Sequence, residues 1–192
     1  MDLLTRLADF IQEAGMLRHT PRTGWPFLGT NSESVAEHSF RCAIIGFVLA
    51  KLAKEDPAPV VTLCLFHDLH EARTGDFNYV YHRYDSANAR QALMDAGAGT
   101  GFEDELVAYF DSFTEKKTRA SLLANDADQL DLIANLVVEL AKGNQFARDW
   151  LDSAVQRLTT KEGKMLCDTL LHTDPNHWWY NQVPKEWWIH HK

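Results

Sequence analysis

Residues 118–142 have the sequence TRASLLANDADQLDLIANLVVELAK, which predicts one long and central helix. Its apolar residues recur at alternating spacings of three and four, and Gly143 follows where helices commonly end. The same stretch contains Asp126, Asp128 and Asp131 within a largely apolar pattern. Because carboxylates are costly to bury, each of these acids needs a partner. The apolar positions are Leu123, Ala127, Leu130, Ala134, Val137 and Ala141.

Helical periodicity extends over nearly the whole chain, and no run alternates with the period of a half-buried strand. Ser34 and Glu37 have the spacing of a capping box, which marks a helix start. The sequence therefore predicts an all-α fold. The other predicted helices cover residues 2–14, 34–54, 59–75, 86–96, 102–113, 146–160 and 164–172.

Composition excludes several classes of protein. Nineteen Lys and Arg against 27 Asp and Glu give a net charge of -8, so no general basic field exists to hold a nucleic-acid polymer. No apolar stretch approaches the roughly 20 residues of a membrane helix, and no signal-peptide pattern opens the chain. Cys42, Cys64 and Cys167 lie in apolar helical patterns without C-x-x-C spacing, as is typical of buried thiols in a reducing compartment. We predict a cytoplasmic protein that binds neither nucleic-acid polymers nor membranes.

Two histidines fall on predicted inward faces. His67 lies on the apolar stripe of its helix with Glu71 one turn later, and His38 lies one turn into the helix that Ser34 caps. A single inward histidine is more often a hydrogen-bonded core residue than a ligand. Two histidines and two or more aspartates on three helices are costly to bury separately, whereas one divalent cation compensates all of them. We therefore favour a metal site.

The chain resembles the HD-domain metal-dependent phosphohydrolases, and within them the bacterial 5'-deoxynucleotidases and related HD-domain proteins. The resemblance is strong from about residue 15 to 80 and is renewed at residues 122–135. It is carried by Pro21-Arg22-Thr23-Gly24-Trp25, Ser34-Val35-Ala36-Glu37-His38, His67-Asp68 with Glu71, Gly75-Asp76, and Ala127-Asp128-Gln129-Leu130.

This resemblance implies an HD-domain helical bundle with a central site for one divalent ion. Spacing alone leaves Asp126 and Asp131 as alternatives to Asp128, but the segment around Asp128 matches the family motif. The implied architecture is one HD domain over residues 1–192, with a metal-binding core at about 30–140 and C-terminal helices and a Trp-rich tail, 146–192, packed on it. The ligands that the resemblance implies are His38, His67, Asp68 and Asp128.

Further roles are expected around the metal. Glu71 is placed to orient a metal-bound water or shuttle its proton, and Arg22 to bind the phosphate. Trp25 is expected to pack against the sugar or base, and Asp76 to accept a sugar hydroxyl. The alternatives are a surface acid or a partner of His67 for Glu71, a solvated loop cation for Arg22, and loop anchors for Trp25 and Asp76.

The predicted function is a divalent-metal-dependent phosphohydrolase that cleaves a small phosphomonoester, above all a 5'-(deoxy)nucleoside monophosphate, through a metal-bound water. The ligand types suit Co, Mn, Zn, Fe, Ni or Mg. Relatives imply a homodimer. One alternative is an HD-type enzyme of other chemistry, such as a di-iron oxygenase in which His70 supports a second metal, or another phosphoesterase. The other is a helical binding module that a metal stabilises.

Overall fold

The computed structural model of the chain describes residues 2–30 and 33–190. Within these ranges the regular elements are α- and 3₁₀-helices, and the only β pairing is an isolated bridge between Pro21 and Ser34. The all-α prediction is confirmed. The α-helices are α1 Leu3–Ala14, α2 Val35–Ala53, α3 Pro57–Phe66, α4 Glu71–Thr74, α5 Ala89–Gly97, α6 Glu103–Glu115, α7 Arg119–Ala141, α8 Ala147–Gln156, α9 Lys161–His172, α10 His177–Tyr180 and α11 Lys185–His190. Short 3₁₀-helices cover Gly15–His19, Trp25–Leu28 and Tyr81–Arg83.

The start of α2 has the predicted capping box. Glu37 N donates to Ser34 Oγ at 3.2 Å, and Ser34 N donates to Glu37 Oε2 at 2.7 Å. These reciprocal bonds satisfy two backbone donors that the helix itself cannot pair. The capping box fixes where α2 begins, and hence that His38 lies one turn inside it.

The predicted helix over residues 59–75 is interrupted in the structure. It begins earlier, at Pro57, where Asp56 caps it, and ends at Phe66. The chain then makes a tight turn before α4, in which backbone hydrogen bonds join residues that are three apart. Gly75, with φ of 73°, ends α4 in a conformation that side chains rarely adopt.

The core is built around α7, which contacts α2, α3, α6, α8 and α9. Its buried residues include Leu123, Leu130 and Leu136. The helices α2 and α3 approach closely at Gly46, where an added Cβ would lie 2.8 Å from Cys64 Sγ. This close approach brings the start of α2 and the end of α3 against the same face of α7.

The C-terminal elements differ in burial. Leu151 on α8 and Cys167 on α9 belong to the core, whereas α10 and α11 bury none of their described residues. Aromatic rings of the last two helices pack on one another, with Trp179 and Trp188 centroids 5.5 Å apart. The single domain over residues 1–192 stays a prediction, and residues 1, 31–32 and 191–192 lie outside the described residues.

Candidate metal centre

The predicted site residues surround a cleft of about 250 Å³. The loop before α2, the turn after α3 and the middle of α7 form its walls, and Trp150 on α8 closes one side. His38 is buried beside the cleft, with its ring centroid 5.3 Å from that of His67. The other predicted residues line the cleft itself: Arg22, Trp25, His67, Asp68, Glu71, Asp76 and Asp128.

The two imidazoles face one another through their Nε2 atoms, which lie 3.3 Å apart. His67 Nδ1 donates to the Cys64 carbonyl oxygen at 2.9 Å. His38 Nδ1 lies 2.7 Å from Asp131 Oδ2, and an ionised carboxylate accepts hydrogen bonds only. Both rings are therefore held at Nδ1 and present Nε2 to a common point, the orientation that metal-binding histidines adopt.

Two carboxylates complete this cluster. Asp128 Oδ1 lies 3.3 Å from His38 Nε2, and Asp68 Oδ2 lies 3.1 Å from His67 Nε2. Two ligands at right angles on an ion, with bonds of about 2.1 Å, lie about 3 Å apart. The nitrogen and oxygen donors thus have the chemistry and the spacing that a divalent transition metal requires. That these four residues bind a metal remains a prediction.

The other two acids of α7 have partners elsewhere. Asp126 is buried and accepts hydrogen bonds from the backbone N–H groups of Thr159 and Thr160 at 2.9 and 2.7 Å. Asp131, also buried, lies against His38 Nδ1 and Arg41 Nε. Of the three acids, Asp128 alone lies beside the Nε2 atoms.

The charges of the cluster depend on one another. Burial lowers the pKa of His38, but the carboxylates of Asp128 and Asp131 raise it to about 10. Burial raises the pKa of Asp128, and the imidazoles of His38 and His67 lower it to about 2. Against burial, His67 also holds the pKa of Asp68 well below its usual range. A cation must displace the proton from His38, so its affinity should fall as the pH falls.

Glu71 is buried and lines the cleft, and its Oε2 atom has no hydrogen-bond partner among the described residues. Burial, reinforced by the carboxylates of Asp68 and Asp76, raises the pKa of Glu71 to about 10. A carboxyl group in this setting is protonated at neutral pH until positive charge arrives nearby. Glu71 is therefore suited to hold or transfer a proton.

Arg22 faces the same carboxylates. Its Nη1 lies 3.1 Å from Asp68 Oδ2 and 3.6 Å from Asp76 Oδ1. Burial lowers the pKa of Arg22, but Asp68 and Asp76 together raise it well above its usual range. The guanidinium therefore stays charged and can add a phosphate to its acceptors.

Asp76 and Trp25 hold the loop before α2. Asp76 Oδ2 accepts hydrogen bonds from Thr23 N at 2.6 Å and from Thr23 Oγ1 at 2.9 Å. Trp25 is buried and belongs to the core, although it also lines the cleft. These contacts fit the alternative in which both residues are loop anchors. Their roles toward a sugar or base stay predictions.

One wall of the cleft contains residues that were not predicted as site residues. Tyr79 and Trp150 meet there at 5.9 Å between ring centroids, and Arg157 donates hydrogen bonds to Tyr79 Oη and to Gln129 Oε1. Gln129 Nε2 in turn lies 2.8 Å from Asp128 Oδ2. Gln129 lies next to a predicted ligand and Tyr79 lies just after the Gly75-Asp76 motif, whereas Trp150 and Arg157 carry no such signal because they are distant along the chain.

His70 lies beside the centre. One ligand atom each from Asp68, His70 and Glu71 lies within 4.8 Å of the others, so the set could hold a second cation. However, His70 Nδ1 is already 3.1 Å from Thr74 Oγ1. A second metal stays an alternative.

Comparison with known families supports the resemblance seen in the sequence. The family model described as HD domain matches residues 14–167. The 5'-deoxynucleotidase HDDC2 of Dictyostelium discoideum is 27% identical over 143 residues, covering 68% of this chain and 75% of that protein. The human 5'-deoxynucleotidase HDDC2 is 35% identical over 71 residues, covering 36% of this chain but only 34% of the human protein.

A solved structure has the same fold. A conserved hypothetical protein from Pyrococcus furiosus superimposes with a TM-score of 0.73 at 25% identity. The match covers 86% of this chain and 99% of the Pyrococcus chain. The similarity therefore extends over most of the helices that surround the cleft.

Proposed function

The chain belongs to the HD-domain family, and we propose that it is a divalent-metal-dependent phosphohydrolase. Its proposed substrate is a small phosphomonoester, above all a 5'-(deoxy)nucleoside monophosphate. The observation that carries the proposal is the pair of buried imidazoles, with Nε2 atoms 3.3 Å apart beside Asp68 and Asp128. Two imidazoles that turn Nε2 toward one point next to two carboxylates supply the nitrogen and oxygen ligands of a divalent cation.

His38, His67, Asp68 and Asp128 would hold the cation. A bound divalent cation makes water acidic enough to act as a nucleophile near neutral pH and offsets charge on phosphoryl oxygens. Arg22, which lies 3.1 Å from Asp68 Oδ2, would bind the phosphate through its remaining N–H groups. The contact between Arg22 and the phosphate would hold the phosphorus atom beside the proposed metal ligands.

Glu71 would accept and return the proton of the attacking water. With positive charge nearby its carboxyl ionises, and the unpartnered Oε2 can then take a proton from the attacking water. The same atom can return that proton to the departing alkoxide. Hydrolysis of a phosphomonoester needs both transfers, and Glu71 Oε2 is a buried carboxyl oxygen at the cleft with no donor among the described residues.

The nucleotide part of the proposal has separate support. The relatives from Dictyostelium and human are both named 5'-deoxynucleotidases. Trp25, Tyr79 and Trp150 line the cleft beside the metal cluster, and aromatic rings can pack against a nucleoside. The net charge of -8 provides no general basic field for a phosphate backbone, so we propose neither a nucleic-acid polymer nor a membrane as a partner.

The homodimer is also part of the proposal. The outward face of α2 carries five apolar side chains that are 39% to 67% exposed. Exposed apolar side chains that lie together on a surface commonly mark an interaction site, and two-fold dimers are the commonest assembly. Replacing Phe47, in the middle of this face, by Glu should yield a monomer by light scattering. An unchanged mass would remove this support. The five side chains are Phe40, Ile44, Phe47, Val48 and Leu52.

A cytoplasmic location is proposed from the thiols. Cys42, Cys64 and Cys167 are free and buried, as in proteins of reducing compartments. Among the described residues, no helix has both the length and the apolar character to cross a bilayer.

The test is phosphate release by protein stripped of metal with a chelator. The stripped protein is supplied in turn with Mn, Co, Mg, Zn, Fe and Ni, and offered 5'-deoxynucleotides, 5'-ribonucleotides and 3'-nucleotides. Release that depends on metal and is confined to 5'-monophosphates is expected. No release with any metal, from protein that binds one ion per chain, would contradict the proposal. Two ions per chain would favour the di-iron alternative.

A further inference from the structure

Asp131 is fixed from both sides, although it lies outside the proposed ligand set. It is 1% exposed, and its Oδ2 lies 2.7 Å from His38 Nδ1. Its Oδ1 accepts from Arg41 Nε at 2.5 Å, and its backbone oxygen accepts from Arg41 Nη2 at 3.2 Å. The carboxylate therefore has one orientation, with one oxygen for the imidazole and the other for the guanidinium.

The chain of contacts continues away from the cleft. Arg41 Nη2 lies 3.2 Å from Glu33 Oε1, and Asn135 Nδ2 donates to Glu33 Oε2 at 3.0 Å. Glu33 precedes α2, Arg41 lies on α2, and Asp131 and Asn135 are one turn apart on α7. The network therefore fixes the register of α2 against α7 at the level of His38.

These contacts exclude one other reading of the same residues. Single ligand atoms of Glu33, His38 and Asp131 lie within 4.8 Å of one another, which by itself would allow a second cation. The Arg41 guanidinium already bridges Glu33 and Asp131 and supplies the positive charge. The cluster is complete without an ion.

We propose that Asp131 and Arg41 are positioning residues of the metal centre, which keep the proton of His38 on Nδ1 so that Nε2 presents its lone pair to the cation. The inference rests on the proposed metal site. An imidazole with its proton on Nε2 cannot bind a metal there. Carboxylate partners of metal-binding histidines fix the tautomer and the ring orientation in this way.

The two histidines differ in how they are held. The Nδ1 of His67 is bound to the backbone oxygen of Cys64, so no single side-chain substitution removes its acceptor. The Nδ1 of His38 depends on the side chain of Asp131. A side-chain substitution can therefore remove the Nδ1 partner of His38 but not that of His67, which makes the proposal testable.

The decisive variant is Asp131→Asn. Its amide oxygen should turn toward the charged Arg41, leaving the NH₂ group against His38 and forcing the ring proton onto Nε2. We expect the dissociation constant for Mn²⁺, measured by chelator competition, to rise about 10- to 100-fold. In the zinc-loaded wild type, NMR should show the His38 proton on Nδ1.

The matched control is Asp126→Asn, the same substitution at a buried acid of α7 that touches neither histidine. It should leave the Mn²⁺ dissociation constant unchanged. If Asp131→Asn does not fold, Arg41→Gln decides, because the Arg41 side chain is 38% exposed and tolerates replacement. It frees the carboxylate to turn, and a several-fold weaker affinity is expected.

The outcomes separate the two proposals. A wild-type protein that binds no cation would overturn the proposed function and this role with it. A wild type that binds one cation, with Asp131→Asn binding equally well, would overturn the positioning role alone. Where Asp131→Asn is unfolded, native affinity in Arg41→Gln would overturn the positioning role. Weaker binding in the Asp131 or Arg41 variant but not in the Asp126 control would establish it.

Discussion

Asp126 and Asp128 lie two residues apart on α7, yet their surroundings have little in common. Asp126 receives four hydrogen bonds, from the backbone and hydroxyl groups of Thr159 and Thr160, at 2.5 to 3.2 Å. Asp128 has one amide donor, from Gln129, and its other oxygen faces the Nε2 of His38. A saturated carboxylate is part of the scaffold, whereas an unsaturated one in a cleft is available for a ligand.

The largest expected effect is a loss of activity when Asp128 or another proposed metal ligand is removed. Asp128→Ala, like His67→Ala or Asp68→Ala, removes a proposed ligand, and we expect phosphate release to fall about 1,000-fold or more, since metal catalysis supplies several kcal/mol. Circular dichroism should show the helical content retained. Full activity in any of these variants would refute the metal assignment.

Substitution of Asp126, the acid with four hydrogen-bond donors, should instead reduce the stability of the fold. Asp126→Ala removes the acceptor of two backbone N–H groups, those of Thr159 and of the buried Thr160. The free energy of unfolding should fall by about 3 kcal/mol, as measured by urea denaturation. Phosphate release per folded molecule should stay unchanged. A loss of activity larger than the loss of folded protein would show that the two acids are not separate in function.

Glu71 extends the comparison to an acid whose Oε2 has no donor in the part of the chain that the structure describes, and the expected effect is smaller. Its pKa is raised from 4.5 to about 10 in the folded, metal-free protein, so the folded state binds a proton that the unfolded state lacks between these values. Stability is therefore lost as the pH rises through this window, by about 1.4 kcal/mol per pH unit at most. His38, raised from 6.5 to about 10, acts in the same direction at higher pH.

Glu71→Gln should make this pH dependence shallower. Melting temperatures measured from pH 6 to 9 in the presence of a chelator would show it. The variant should lose less stability than the wild type as the pH rises. Identical slopes in the two proteins would mean that the carboxyl is already ionised in the fold. Saturating metal should also flatten the wild-type slope, because positive charge favours the carboxylate.

The same pair of acids shows what could be predicted from sequence. The capping box at Ser34 and Glu37 placed the start of α2, and the helical period with Gly143 placed α7, because these signals lie within a few residues of one another. The partners of Asp126 are more than 30 residues away, at Thr159 and Thr160, and no spacing rule links them. Only the family motif distinguished Asp128 from its neighbours.

Other differences between the predicted and the observed structure also arise from contacts between distant parts of the chain. The break after Phe66 was missed because the apolar period continues through it, while the chain tightens to place Asp68 and Glu71 at the cleft. The wall formed by Tyr79 and Trp150 depends on tertiary contact between distant segments. Local pattern therefore predicts helices and their faces, but not which polar partners meet across them.

Gly46 gives the close packing of α2 and α3 a further meaning. It lies two turns after His38 on α2, and it faces Val60 and Cys64, one turn before His67. The missing side chain lets the two helices that carry the imidazoles lie close together. A methyl group at this position would push α2 away from α3, and we expect it to lengthen the 3.3 Å distance between the Nε2 atoms of His38 and His67. Gly46, a residue with no functional atom, would then influence the geometry of the proposed metal site.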